Sequence, residues 1–147
     1  EEFCTRLLAV SETMLFGGQP FIADMTAMAI AGDFDTAERM RESYLRRAKL
    51  IIGHLSGHGA LKPMMPEAGM FLLVDVSATG LDGATFAERL LEEKQVAVMP
   101  GASFGDQATN FIRLSLTVAD ETLSEATDRI AAFADSLGKD EENRKWA

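Results

Sequence analysis

The stretch Asn110-Phe111-Ile112-Arg113-Leu114-Ser115-Leu116-Thr117 decides the fold. Ile112, Leu114 and Leu116 alternate with Phe111, Arg113 and Ser115, the period-two pattern of a strand with two unlike faces. Arginine keeps its charge, and its planar fork of donors suits a carboxylate held by two parallel hydrogen bonds. A guanidinium on an otherwise apolar strand needs an anion, because an unpaired buried charge is costly. That anion is either one of the chain's own 23 acidic residues or a carboxylate brought by a ligand.

The surroundings of this strand predict a small sheet. Met70-Phe71-Leu72-Leu73-Val74-Asp75-Val76 is nearly continuous in apolar residues and reads as a central strand. Asp82 is placed to cap a helix containing Phe86, Ala87, Leu90 and Leu91, which ends near Lys94. Val96–Met99 predicts a short buried strand, and Pro100-Gly101 turns the chain toward the arginine strand. A final helix opens near Ala119-Asp120, carries Leu123, Ala126, Ile130, Phe133 and Leu137, and is expected to stop at Gly138.

Upstream the pattern is helical. Glu1–Leu7 reads as the middle of an amphipathic helix with Phe3, Leu7 and Met14 near one face, which leads us to expect a piece of a longer protein. Phe16-Gly17-Gly18-Gln19-Pro20 breaks that helix. The next, Phe21–Ile30, is apolar nearly all round and is expected to be buried or covered by a partner subunit. Asp33 or Asp35 should cap a third helix through about Ser56, with Ala37, Met40, Tyr44, Ala48, Ile51 and Leu55 inward. Its other face, with Arg39, Arg41, Arg46, Arg47 and Lys49, reads as solvated.

The predicted fold class is α/β in the α+β sense: a small mixed or antiparallel sheet with helices packed on one face, plus an N-terminal helical arm. Residues 1–32 form the arm, 33–138 the sheet-bearing domain and 139–147 a charged tail.

Composition narrows the function. With 47% hydrophobic and 25% charged residues, the chain of 147 residues reads as globular and soluble. A net charge of −9 argues against nucleic acid or an anionic membrane as partner. No apolar run approaches the roughly 20 residues of a membrane helix. A single cysteine, Cys4, cannot close an internal disulfide and suggests a reducing, cytoplasmic setting.

Two motifs are tempting and fail on context. Gly101-Ala102-Ser103-Phe104-Gly105 fits the G-x-S-x-G nucleophile elbow, but no helix is expected directly after it and both histidines lie upstream. His54 and His58 could share a helix face and chelate zinc, but Gly57 intervenes and no third ligand lies nearby, so no metal site is expected.

Taken together, "PEAGMFLLVDV" (Pro66–Val76), "VAVMPGASFG" (Val96–Gly105) and "NFIRLSL" (Asn110–Leu116), in that order, resemble the C-terminal part of class I/II, fold-type I aminotransferases. The similarity is closest in flavour to bacterial aspartate aminotransferases and arginine–pyruvate transaminases. It implies pyridoxal 5′-phosphate as cofactor, amino-acid and 2-oxo-acid substrates, and a homodimer. It implies that Arg113 grips the substrate α-carboxylate. It also suggests that Pro100–Gly105 lies near the site entrance and Phe16–Pro20 near the dimer interface. Lys49, Lys62, Lys94, Lys139 and Lys145 lie in no sequence context like that of the family's Schiff-base lysine. The expectation is therefore no catalytic or cofactor-binding residue in this chain, which alone would neither hold the cofactor nor transaminate.

Two alternatives stand beside this one. The chain could be a non-catalytic amino-acid-binding regulatory module. It could also be a structural or dimerisation domain in which Arg113 pairs with an internal acid.

Overall fold

The computed structural model describes residues 2–14, 19–32 and 35–144, with side chains through 138. The Phe16–Gly18 turn, Asp33 and the last three residues of the tail lie outside the described residues. The chain resolves into two compact units, residues 1–38 and 39–147.

The first unit holds helix α1 (Glu2–Met14), helix α2 (Pro20–Ala31) and the start of helix α3 (Asp35–Leu55). Pro20 occupies the first turn of α2, where a missing N–H costs nothing. Neither α1 nor α2 contains a buried residue. The composition of α2 calls for burial or for cover by a partner subunit. Within this chain Phe21, Ile22, Met25, Met28 and Ile30 are each more than half exposed, so burial in the chain's own core does not account for it.

The second unit carries the sheet. Strands β1 (Lys62–Pro63), β2 (Phe71–Asp75), β3 (Met99–Pro100) and β4 (Phe111–Ser115) lie in the order β1-β2-β4-β3, every ladder antiparallel. The central pair sets Leu73 opposite Arg113 and Phe71 opposite Ser115, while Met99 faces Arg113 from the other side. This register puts Leu72, Val74, Ile112 and Leu114 on one buried face. Packed on that face are helix α4 (Gly83–Lys94), helix α5 (Asp120–Arg144) and the C-terminal half of α3, through Phe86, Leu90, Ile130, Phe133, Ile51 and Leu55. Phe86 and Phe133 meet edge to face at 5.0 Å.

Local chemistry explains the boundaries. Asp82 caps α4 as expected, its carboxylate accepting the Thr85 N–H at 2.8 Å. That bond holds the Asp82 carboxyl below the usual carboxylate range. Three expectations are corrected. The run Val96–Met99 is not itself a strand; only Met99 and Pro100 ladder with β4, and Val96 is apolar because it is buried beside the helices. Gly138 does not stop α5, which continues to Arg144. One glycine costs a helix only about 1 kcal/mol, and the anchored turns carrying Phe133 and Leu137 outweigh it.

The third correction concerns the charged face of α3. Arg47 is not solvated there: its Nε donates to Asp120 Oδ1 at 2.7 Å and its Nη1 to the Leu116 carbonyl at 2.8 Å. Arg46 pairs with the other oxygen of Asp120. Hydrogen bonds from Arg46 and then Arg47 hold the Asp120 carboxyl below its ordinary range. A depressed carboxyl binds fewer protons folded than unfolded. Its stabilisation is complete above the unfolded pKa and disappears as pH falls through the folded one. Urea midpoints taken near pH 6 and again near pH 3 should therefore differ less in Asp120→Asn than in the parent. Asp82 leaves part of the acid dependence in place.

Candidate functional site

Arg113 sits in the middle of β4 on the face turned away from the core, half-buried between its two neighbouring strands. Among the described residues its guanidinium has no carboxylate partner and makes no hydrogen bond. Two aromatic rings take the place of an acid. The guanidinium carbon lies 3.9 Å from the Phe71 ring centroid and 4.6 Å from that of Phe104. Rings attract a guanidinium through their negative faces, and they leave its N–H edge available to an anion. Beside it a shallow pocket is lined by Ala97, Val98, Met99, Arg113 and Ser115. The Ser115 hydroxyl is within 2.8 Å of that of Thr117.

The elements around β4 fix its position closely. A Cβ added at Gly83, in the first turn of α4, would fall 2.1 Å from the Phe111 carbonyl oxygen. One added at Gly101 would fall 2.2 Å from the Ala108 oxygen and 2.7 Å from that same Phe111 oxygen. The first residue of the arginine strand is thus gripped between two glycines of different elements. The Gly83 N–H also donates to the Thr109 carbonyl at 2.9 Å. The backbone approaches that closely only because both positions lack a side chain.

The tempting motifs resolve otherwise. Gly101–Phe104 is a 3-10 turn followed by a second one, Asp106–Ala108, not a strand-to-helix elbow. The histidines face single acids on α5: His54 Nδ1 is 3.1 Å from Asp128 and His58 Nδ1 is 2.9 Å from Asp135. Among the described residues no group of three or more His, Cys, Asp or Glu is placed to hold a metal. No helix among them is long and apolar enough to cross a membrane.

Phe71 and Phe104 were not singled out from sequence. The alternation Phe71, Leu73, Asp75 could have put Phe71 on the face of Arg113, had the register of β2 on β4 been known. No local signal marked Phe104, whose ring reaches Arg113 from a turn.

A small antiparallel sheet, backed by helices, thus carries an arginine that has no acid partner among the described residues. The chain belongs to the aminotransferase class I and II family, whose profile it matches over residues 1–130. It is 40% identical over 134 residues to the arginine–pyruvate transaminase of Pseudomonas aeruginosa, covering 91% of this chain and 34% of that protein. A pyridoxal-phosphate-bound putative aminotransferase from Clostridium difficile 630 superposes with TM-score 0.75 at 25% identity, over 91% of this chain and 35% of that one. A probable N-succinyldiaminopimelate aminotransferase from Thermus thermophilus gives TM-score 0.75 at 29% identity, over 90% and 35%. The chain spans about a third of the length of these relatives.

The family's cofactor needs an amine for a Schiff base and a partner for its ring nitrogen. The residues around Arg113 supply neither: the pocket beside it is lined by apolar side chains, one hydroxyl and the guanidinium. Lys62 ends on the far edge strand, and Lys49 and Lys94 lie on helices. These residues do not fit the cofactor by themselves.

Proposed function

We propose that this chain is the small domain, with the adjoining helical segment, of a pyridoxal-phosphate-dependent transaminase, and that Arg113 holds the α-carboxylate of its amino-acid and 2-oxo-acid substrates. One observation carries the reading. Among the described residues the half-buried cation on the central strand has no acid partner and is flanked by aromatic rings. A guanidinium in that setting gains most from a planar anion that binds along its N–H edge. The domain then closes over the substrate as the pair forms, excluding water from the reacting centre.

In this reading residues 1–32 belong to the large-domain and dimer side, residues 33–138 form the lid and 139–147 trail from it. The exposed apolar residues of α1 and α2, among them Phe3, Leu7, Met25 and Met28, support an arm covered in the complete enzyme. The cofactor is bound by the remainder of a cytoplasmic homodimer, and no step of its chemistry is assigned to this chain.

The test is Arg113→Lys in the complete enzyme. Lysine keeps the charge but loses the fork, so a charge-assisted pair contributing about 1.5–3 kcal/mol is weakened. The KM for the amino donor should rise about tenfold or more, while the absorption spectrum of the bound cofactor stays as in the parent. An unchanged KM rejects the carboxylate role.

A further inference from the structure

The G-A-S-F-G sequence does no nucleophilic work in this fold, yet its geometry is demanding. Gly101 admits no side chain, because a Cβ there would meet backbone oxygen at 2.2 Å. Gly105 closes the turn at φ +123°, a conformation L side chains rarely adopt, with its N–H donating to the Ala102 carbonyl at 3.2 Å. Between these fixed points Phe104 is 55% exposed, so burial in a core does not explain its place. Its ring instead faces the guanidinium of Arg113.

We propose that Gly101–Gly105 is a positioning clamp: it holds the Phe104 ring against Arg113, with Phe71 as the second jaw, and so fixes the plane in which a substrate carboxylate is received. The proposal rests on the carboxylate reading above and deepens it. An arginine side chain has many rotamers, and ordering it on binding would subtract from affinity. Two rings at 3.9 and 4.6 Å order it beforehand without taking up its hydrogen-bond donors. A carboxylate partner would have ordered it equally well but would have filled the site. The clamp also favours a planar, edge-on ligand, since ring contacts leave the N–H edge of the guanidinium for a two-oxygen anion. Phe104 acts through Arg113 and is a positioning residue, not a catalytic one.

The experiment uses the complete, cofactor-loaded enzyme with pyruvate as the probe acid. Phe104→Leu keeps an apolar side chain but removes the ring. It should raise the KM for pyruvate about five- to tenfold with kcat within about twofold. Phe104→Tyr retains the ring face and should restore KM to within about twofold of the parent. In an Arg113→Lys background, Phe104→Leu should add little, because the ammonium has no plane to set. An unchanged KM in Phe104→Leu, a Tyr variant as poor as the Leu variant, or effects that multiply in the double variant would each overturn the clamp. Arg113→Lys separates the two levels. If it raises KM while Phe104→Leu does not, the clamp alone fails; if it leaves KM unchanged, the carboxylate reading fails and takes the clamp with it.

Discussion

Phe133→Ala is expected to lower the unfolding free energy by about 3–5 kcal/mol, the largest effect of any single change considered. Phe133 is fully buried on α5 and meets Phe86 of α4 edge to face, while the Arg89 guanidinium lies 5.5 Å from its ring centroid. Truncation removes ring burial, the aromatic contact and the cation contact together. The α4–α5 layer is also what backs the buried face of the sheet. Urea unfolding followed by far-ultraviolet circular dichroism should show a lower midpoint with an unchanged slope. Phe3→Ala, at a position 75% exposed on α1, should stay within about 0.5 kcal/mol. A loss at Phe133 no larger than at Phe3 would show that the layer is not tightly packed.

Gly101→Ala should be the next most damaging change, and its damage should reach function. The added methyl would lie 2.2 Å from the Ala108 oxygen and 2.7 Å from the Phe111 oxygen, both backbone atoms that cannot swing aside. Relief requires the turn or the start of β4 to move, at a cost of about 1–3 kcal/mol. Phe104 and Arg113 sit on those two elements, so KM should rise along with the fall in stability. Gly59→Ala is the control, since nothing lies within 4 Å of its added Cβ. Gly83→Ala meets the same Phe111 oxygen from the opposite element, so the double variant should cost less than the sum of the singles. Additive losses would mean that the two contacts relax independently.

What was legible in the sequence was what local periodicity encodes. The alternation around Arg113 predicted β4 and the side on which the guanidinium stands, because a strand's period of two needs no partner to be read. Asp82 announced its helix because a cap acts within three residues. Contacts between distant segments were not legible. Arg47 looks like any solvated helix charge until Asp120, 73 positions away, is brought against it. Val96 owes its hydrophobicity to helix packing rather than to a ladder, and the run alone cannot separate those causes. At the site itself the arginine could be found from its strand. The rings that hold it could not, because one depends on register and the other on a turn shaped by two glycines.

The order of the strands has a kinetic consequence. Phe71 pairs with Ser115, a separation of 115 − 71 = 44 positions, and the whole central ladder is of this long-range kind. Closing so large a loop carries an entropic penalty that no contact offsets until the strands meet. Helix α4 and the short β3–β4 ladder can form earlier from neighbours in sequence, but the Phe71 ring does not reach the arginine until β2 and β4 zip together. Ligand-binding competence should therefore emerge in the last, slowest phase of refolding, after most of the helical signal has already returned.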